Sequence, residues 1–331
     1  MAEREFSHRT HDDAGDDLSE QLTVRVAWCY YRLGLTQQEV AARLGITRVR
    51  VNRQLAEARR RGIVRITVTS KLAENIELEE RLKSVFGLDD AHVVLGLADD
   101  AANAEILGDV AAEILGPQLV DGSTIGVGWG MTLRALASAM PERPLPRAAV
   151  VAMLGSLTRR SSIDAFEAAT ALAHRLHAEC FYMPGPLICD SAKVRKAIES
   201  QPLVVDIKER AQGADVALFS VGGLDSGTIR QAGLIDAEQL NSVRSAGAIG
   251  NFLGHYVDCH ATIVDHPIND RVLGTRPDEI VTINKRVMVS GGATKVPVLR
   301  ALLQHGLITE LVTDQASAQA ILNPVDQGTE Q

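Results

Sequence analysis

The chain is poor in aromatic residues and contains no long apolar run. Phe, Trp and Tyr together make up 4% of its 331 residues, too few for the stacked aromatic platforms that bind single-stranded nucleic acid. No stretch approaches the roughly 20 apolar residues of a membrane span. Residues 1–21 are polar and mostly acidic, without the apolar centre of a signal peptide. We therefore expect a cytoplasmic protein with no membrane partner.

Cysteine is also scarce, and its spacing excludes common thiol sites. Four cysteines occur, none of them in a CxxC pair: Cys29, Cys180, Cys189 and Cys259. We expect buried free thiols in a reducing compartment. His174, His177 and Cys180 could share one helix face, but the pattern runs from a helix into a strand and offers no nearby fourth ligand. We expect no metal and no cofactor.

Positive charge, by contrast, is concentrated in one short segment. Eight arginines and a single acid, Glu57, lie between Arg43 and Arg65, in a chain whose formal net charge is −8. A compact cationic block in an otherwise anionic chain is typical of proteins that bind the phosphate backbone of nucleic acid.

The cationic segment has the pattern of a helix-turn-helix. Thr36 and Glu39 have the spacing of a capping box, Gly45 can end a short helix in a left-handed turn, and Thr47 can cap the next helix. In that second helix an apolar stripe recurs at residues 51, 55 and 58. Its arginine-rich face is then free to enter the major groove of DNA. The alternative is a small helical bundle with a solvated arginine face, but the caps and the glycine turn agree at the spacing that a helix-turn-helix requires.

Six side chains are predicted to contact DNA. Arg48 and Arg53 suit base edges, because arginine pairs with guanine through two hydrogen bonds. The residues that suit phosphates are Gln37, Thr47, Arg50 and Asn52. The preceding helix is expected to bury a stripe consisting of Leu22, Val26, Ala27, Tyr30 and Leu33. Residues 63–70 alternate like a short strand and suggest a wing.

The rest of the chain predicts an α/β domain. From residue 92 onward, apolar strand candidates alternate with amphipathic helices, which favours a doubly wound parallel sheet. The strands are expected at residues 92–96, 123–128, 149–154, 178–183, 215–222, 279–284, 286–291 and 310–314. We divide the chain into a disordered tail (1–17), a winged helix-turn-helix domain (18–68), a linker helix (69–90), an effector-binding and oligomerisation domain (91–323) and a second tail (324–331).

Glycine-containing loops follow four of these strands, at residues 126–132, 155–158, 222–225 and 291–295. Ligands of open α/β sheets bind beyond the carboxyl ends of the strands, and backbone amides at a helix N-terminus attract anions. The first loop is not a dinucleotide fingerprint, because Met131 stands where the third glycine should be. A small phosphorylated compound is the predicted ligand, and the candidate binding residues are Gly128, Trp129, Gly130, Thr132, Gly222, Asp225 and Lys295.

Several collinear motifs resemble one family of bacterial regulators. They are residues 26–66, which carry the helix-turn-helix, and YMPGPL (182–187), SVGGLDSGTIRQAGLID (220–236), GAIGNFLGHYVD (247–258) and VMVSGGATKVPVLRALL (287–303). In this order and spacing the chain resembles the SorC/DeoR-type sugar-responsive transcription regulators, over about residues 22–322. It is similar within that family to regulators of autoinducer uptake and of polyol catabolism.

The resemblance implies an effector domain with the fold of phosphosugar isomerases and deaminases (NagB/RpiA/CoA-transferase-like). It also implies dimers or tetramers, and repression that a sugar phosphate relieves. The family's phosphate loop falls on Gly128–Thr132, and its C-terminal basic contact falls on Lys295. Where the family usually has an aspartate that contacts effector hydroxyls, this chain has Ala248, so a differently hydroxylated or reduced sugar is expected in place of an autoinducer.

Three functions are weighed on these grounds. The first is a repressor of a sugar or polyol catabolic operon, gated by its effector. The second is a phosphosugar isomerase or deaminase, for which the acid–base candidates are His255, Asp258, His260, Asp265 and His266, although their spacing does not set a base beside an orienting group. The third is an architectural DNA-binding protein, against which the large acidic domain argues. The first is our prediction.

Overall fold

The computed structural model describes residues 12–64, 71–97, 99–156, 165–225 and 227–323. The chain divides into two compact units, residues 1–70 and residues 71–331. No helix in these ranges is both long enough and apolar enough to cross a membrane.

The first unit is a set of helices around a small core. They are α1 (Asp12–Ala27), α2 (Gln37–Leu44) and α3 (Arg48–Arg60), with a π-helical turn at Trp28–Arg32 directly after α1. Val26 of α1, Val40 of α2 and Val51 of α3 are all fully buried and belong to one cluster. Three short amphipathic helices thus close on each other, as the apolar spacing predicts.

Two details of α1 differ from expectation. Residues 12–17, expected as part of a disordered tail, form its first turns, which agrees with the preference for acidic residues near a helix N-terminus; residues 1–11 lie outside the described ranges. Leu33, expected in the core, is 47% exposed, and Cys29 is buried instead. The π-helical turn holds more residues per turn than an α-helix, which shifts the side chains after Ala27 from the predicted stripe. Tyr30 still packs against the core, partly buried, but Leu33 does not. The predicted wing lies mostly in residues 65–70, outside the described ranges.

The second unit alternates helices and strands. Its strands are β1 (Asp90–Val94), β2 (Thr124–Val127), β3 (Ala149–Ala152), β4 (Glu179–Phe181), β5 (Val216–Phe219), β6 (Val221–Gly223), β7 (Gly250–Phe252), β8 (His255–Val257), β9 (Lys285–Val289) and β10 (Glu310–Asp314). Its helices are α4 (Lys71–Phe86), α5 (Asp100–Leu115), α6 (Met131–Ala139), α7 (Ala165–Leu176), α8 (Ala192–Glu199), α9 (Pro202–Gln212), α10 (Thr228–Gln231), α11 (Ala237–Ser245), α12 (Val296–Gln304) and α13 (Gln315–Leu322). Short 3₁₀ helices lie at Gly116–Gln118, Asn269–Arg271, Pro277–Thr282 and Ala293–Lys295.

Seven strands form one parallel sheet in the order β1-β10-β9-β5-β2-β3-β4. Ile125 of β2 pairs with Val150 of β3 on one side and with Val216 of β5 on the other. From β2 the chain moves outward through β3 and β4; from β5 it moves outward in the other direction through β9 and β10. The strand order therefore reverses between β2 and β5, the position at which open α/β sheets bind ligands.

Successive strand residues point to opposite faces of this sheet and enter two different cores. Val150 and Ala152 of β3 belong to the core on the side of α5, α6 and α7, whereas Val151 belongs to the core on the other side. Both faces are covered, so the doubly wound α/β fold is confirmed. A separate three-stranded antiparallel sheet, β6-β7-β8, stands beside the end of β5.

One expected strand is wrong. Residues 279–284 do not join the sheet, because the 3₁₀ helix Pro277–Thr282 occupies that segment. Pro277 suits the first position of such a helix, and Glu279 accepts a hydrogen bond from the Arg276 amide at 2.8 Å. Ile280 and Ile283 are then both buried. They are three residues apart, and in so short a stretch of sequence this spacing resembles the alternation of a strand.

Other expectations are met in part. The strand expected at 215–222 divides at Ser220 into β5 and β6. The helix named as a linker, α4, lies in the second unit, where Leu78 and Leu82 are buried in the core that β1 also enters. Two cysteines, Cys29 and Cys189, are buried free thiols as expected, but Cys180 is only half-buried and Cys259 is exposed.

Candidate functional site

The helix-turn-helix is held by the polar contacts that the sequence predicts. The Oγ1 atom of Thr36 accepts a hydrogen bond from the Glu39 amide at 3.3 Å, and the Glu39 carboxylate accepts one from the Thr36 amide at 2.7 Å. The bonds that the carboxylate accepts from the Thr36 amide and, at 2.8 Å, from the Thr36 hydroxyl lower the pKa of Glu39. Gly45 ends α2 with φ 65°, and Thr47 Oγ1 accepts a hydrogen bond from the Arg50 amide at 3.2 Å. Both caps and the glycine turn are confirmed.

The residues proposed for DNA contact are accessible. Gln37 is half-buried, and the other five are exposed: Thr47, Arg48, Arg50, Asn52 and Arg53. Arg48 Nε donates a hydrogen bond to Gln37 Oε1 at 3.3 Å. The first residue of α2 and the first residue of α3 therefore touch, and the polar groups at the two helix starts form one continuous surface.

The arginines of α3 and the turn after it fall into two groups. Arg60 is bonded to Glu57, which lowers the pKa of that carboxyl group, and Arg61 lies 3.2 Å from the Glu20 carboxylate. Within the described residues, Arg50 and Arg53 form no ion pair with an acid. These two guanidinium groups can approach phosphate without first breaking an ion pair.

A groove beside α3 contains one apolar side chain that the sequence analysis does not single out. It is lined by Ser19, Glu20, Thr47, Val49, Arg50, Arg53, Gln54, Glu57, Arg60 and Arg61. Val49 is 80% exposed. Its position four residues before Arg53, outside the stripe of buried residues, could have identified it from the sequence.

In the second unit, three of the glycine-containing loops meet at the strand-order reversal. A cavity of about 30 Å³ lies there, which we name the switch-point cavity. It is lined by Trp129, Gly130, Met131, Thr132, Ser220, Val221, Gly222, Gly227, Asn251 and Lys295. Five of the seven candidate effector residues therefore lie together: Trp129, Gly130, Thr132, Gly222 and Lys295.

The first wall of the cavity is the N-terminus of α6. Gly130 is its N-cap, with φ 119° and ψ 166°, and no side chain caps the helix. This backbone conformation is essentially restricted to glycine. Because the cap lacks a side chain, the first amides of α6 are left for a ligand, and the helix dipole favours an anion there.

The second wall is the loop that carries Lys295. Gly292, with φ 105°, donates its amide to Asp314 Oδ2 at 3.0 Å and to Ser317 Oγ at 2.8 Å. Gly291 must lack a side chain as well, because a Cβ atom would stand 2.0 Å from that same Asp314 oxygen. The buried aspartate fixes the loop and sets Lys295 against the cavity. Burial lowers the pKa of Lys295, opposed by the charges of Asp100 and Asp314.

Asn251 and Ser220 also line the cavity and were missed by sequence reasoning. Asn251 is buried and pairs across the antiparallel sheet with Gly222. A Cβ atom on Gly222 would lie 2.5 Å from Asn251 Nδ2, so glycine is needed there to admit the asparagine. Only the register between β6 and β7 brings these residues together. The sequence analysis predicted part of β6, as the end of a strand at 215–222, but it did not predict β7.

Two candidates are placed elsewhere. Gly128 does not line the cavity, and its amide donates to the Leu218 carbonyl at 2.9 Å, a bond that joins β2 to β5. Asp225 lies in an exposed turn, where its carboxylate contacts Arg244 at 2.5 Å and Arg230 at 3.5 Å. Ala248, the position of the expected departure from the family, is buried in the core and does not line the cavity.

The remaining glycine loop has a structural explanation. A Cβ atom on Gly155 would lie 2.8 Å from the backbone of Pro186. The two segments are this close because the Ser156 amide donates to the Gly185 carbonyl and the Leu187 amide donates to the Ser156 carbonyl. Residues 157–164 of this loop lie outside the described ranges, so its predicted part in ligand binding stays a prediction.

The acid–base candidates of the enzyme hypothesis do not face the switch-point cavity. His255 is buried, and its Nδ1 atom lies 2.8 Å from the Leu253 carbonyl oxygen. Burial lowers the pKa of His255 to about 4. His260 is exposed, with its backbone amide bonded to Asp258. Within the described residues, no group of three or more His, Cys, Asp or Glu side chains could hold a metal ion.

Comparisons with known proteins agree with this two-unit organisation. The family described as "Putative sugar-binding domain" matches residues 70–323, and the family described as "Crp-like helix-turn-helix domain" matches residues 17–82. The erythritol catabolism regulatory protein EryD of Brucella abortus is 26% identical over 309 residues, which cover 92% of this chain and 98% of EryD. The transcriptional regulator LsrR of Escherichia coli is 32% identical over 311 residues, which cover 92% of this chain and 95% of LsrR.

A solved structure is similar over nearly the whole chain. It is the full-length sorbitol operon regulator SorC from Klebsiella pneumoniae, with a TM-score of 0.72 and 26% sequence identity, covering 93% of this chain and 100% of SorC. These proteins are transcriptional regulators, so the comparisons favour the first of the three functions and not the enzyme.

Proposed function

The chain belongs to the SorC/DeoR-type family of sugar-binding transcriptional regulators, and from that premise we propose that a phosphorylated sugar or polyol binds in its switch-point cavity and lowers its affinity for an operator. The chain is a DNA-binding regulator, not an enzyme. The nature of the effector and the contacts that bind it are the proposed part.

The observation that carries this proposal is the pairing of two anion-binding features in one cavity. The uncapped N-terminus of α6 supplies backbone amides, and Lys295 supplies the positive charge. In a chain of formal net charge −8, a dianion needs such a local concentration of donors. Asn251 adds an amide that can both donate to and accept from a hydroxyl group.

The relatives support the class of ligand. EryD is named for erythritol catabolism and SorC for a sorbitol operon, and both compounds are polyols. The cavity volume of about 30 Å³ is roughly the space of one water molecule. A sugar phosphate is larger than this space, so it would extend out of the cavity or move its walls apart. A movement of the walls is what would couple binding to a change of conformation.

Calorimetry with the full-length protein tests the effector site. Phosphorylated sugars and polyols are titrated beside their unphosphorylated forms into wild type, Lys295→Ala and a control, Lys193→Ala, which removes an exposed lysine of α8. We expect binding of a phosphorylated compound by wild type and control, at least tenfold weaker binding by Lys295→Ala, and unchanged operator affinity of Lys295→Ala without ligand. An unphosphorylated effector, or equal binding by Lys295→Ala, contradicts the proposal.

On the DNA side, we propose that α3 is the recognition helix and that the protein acts as a dimer or tetramer in the cytoplasm. Arg48 and Arg53 would read base edges, and Gln37, Thr47, Arg50 and Asn52 would hold phosphates. One helix-turn-helix reads few base pairs, so selective binding requires paired half-sites about 34–36 Å apart or a multiple of that distance. Footprinting together with light scattering tests this; a monomer at saturating operator, or unchanged base preference in Arg48→Ala and Arg53→Ala, contradicts it.

A further inference from the structure

Val49 is the most exposed large apolar side chain in the described part of the chain, at 80%. Three other apolar residues of α3 are buried, Val51, Leu55 and Ala58, whereas the small Ala56 is exposed. Valine is not a strong helix former, and on this helix it gains nothing from the core. Its side chain is therefore available for contact with another molecule.

The position of Val49 specifies where that contact lies. It is the second residue of α3, directly after the Thr47 cap. At 3.6 residues per turn it shares a face with Arg53, one turn later, and this face is opposite the stripe of buried residues. In a helix-turn-helix, the N-terminal residues of the second helix are those that reach base edges.

The charge around Val49 specifies the kind of partner. Arg48 and Arg50 flank it, and the groove that it lines also contains Arg53, Arg60 and Arg61. Such a face suits a polyanion, and an apolar side chain at its centre suits an apolar group on that polyanion. The major groove of DNA offers one such group on its base edges, the C5-methyl group of thymine.

We propose that Val49 reads a thymine methyl group in each operator half-site and so sets base preference beside the arginine contacts. This inference rests on the proposed role of α3 as the recognition helix. Removal of one methyl group from the contact is expected to weaken binding about three- to tenfold, as the burial of about one methylene-sized group implies.

The test uses the full-length protein and an operator selected with it from a random DNA library. Each thymine of the selected operator is replaced in turn by deoxyuridine, which keeps the hydrogen-bonding groups and lacks the methyl group. We expect wild type to lose three- to tenfold in affinity at one position per half-site. Val49→Ala keeps the helix, because alanine is the better helix former. This variant should bind the selected operator and its deoxyuridine form at the sensitive position with equal affinity.

Two further variants exclude a general effect on folding. Val49→Thr retains one γ-methyl group and should keep part of the discrimination. Val24→Ala removes an exposed valine of α1 and should discriminate as wild type does. If no single deoxyuridine changes wild-type affinity, or if Val49→Ala still responds at the sensitive position, the role of Val49 is refuted while α3 can remain the recognition helix. If wild type selects no sequence, or if Arg48→Ala and Arg53→Ala keep its base preference, the proposed role of α3 fails and this inference fails with it.

Discussion

The arginines of the helix-turn-helix are not equivalent, because acids already neutralise some of them. Arg60 and Arg61 are bonded to Glu57 and Glu20, whereas Arg50 and Arg53 have no such partner among the residues that the structure describes. Binding of a paired arginine to phosphate gains little, because one ion pair is exchanged for another. The positive charge of this segment therefore overstates the number of phosphates that it can neutralise.

This difference predicts how the affinity for operator depends on salt. If Arg50 contacts one phosphate, as we propose, Arg50→Ala should lower the slope of log K against log salt concentration by about 1 for each protomer on the DNA. Binding measured at several salt concentrations gives this slope.

The matched control is Arg147→Ala, which changes the net charge equally. Arg147 lies in the other unit, exposed and paired with Asp121 at 2.8 Å, and the slope of this variant should stay at the wild-type value. Equal changes in both variants would mean that affinity follows net charge and not a phosphate contact by Arg50.

At the same scale, some residues of the switch-point cavity could be predicted from the sequence and others could not. Gly130 and Lys295 stand in loops between a strand and a helix, a pattern that local sequence shows. Asn251 reaches the cavity only because it pairs with Gly222 across two three-residue strands. Ser220 reaches it because β5 ends at the residue before it. Such contacts are set by tertiary register, which no short window of sequence contains.

Among the elements, α6 begins at a residue with an unusual backbone conformation, Gly130. A Cβ atom on Gly130 would meet no atom closer than 3.9 Å, so space does not exclude alanine. Its φ of 119° does, since only glycine adopts this conformation without strain.

Gly130→Ala should therefore destabilise the protein by about 1–3 kcal/mol and weaken effector binding, because the first amides of α6 are displaced. Urea unfolding and calorimetry measure the two effects. Gly213→Ala is the control, because Gly213 ends α9 with an ordinary φ of −89°. A Gly130→Ala variant with wild-type stability and effector affinity would show that the anion site does not depend on this conformation.

The elements also show where local patterns mislead. The capping box at Thr36 and Glu39 is a short-range motif, and the structure contains it as expected. Residues 279–284 look like a strand because apolar residues recur within a short window, but Pro277 and Glu279 favour a 3₁₀ helix there. The π-helical turn after α1 moves Leu33 out of the core. In both failures, the type of helix that forms changes which side chains are buried.

For the whole molecule, the strand order decides where a ligand can bind. β2 and β5 are adjacent, and the chain leaves them in opposite directions, so the loops that follow them separate and leave a crevice. The alternating pattern predicted a doubly wound sheet, but the order of its strands is a property of the complete chain. Three of the glycine loops line one cavity only because this order places them together.

A ligand that controls operator binding must itself be controlled by the operator. If the effector lowers operator affinity by a given factor, saturating operator must lower effector affinity by the same factor, because both describe one coupling free energy. For this regulator we expect a factor of about 5–150, which corresponds to a typical coupling of 1–3 kcal/mol. Effector titrations by calorimetry, with and without saturating operator, should give the same ratio as operator titrations with and without effector.

The sign of this coupling separates two modes of regulation. Weaker effector binding in the presence of operator means that the sugar releases the repressor, as we propose. Tighter binding would mean that the effector acts as a co-repressor or activating ligand, and a ratio of 1 would mean that the switch-point cavity is not coupled to DNA. At effector concentrations that just saturate wild type, the operator affinity of Lys295→Ala should change less than that of wild type, because weaker binding leaves a smaller fraction of the variant occupied by effector.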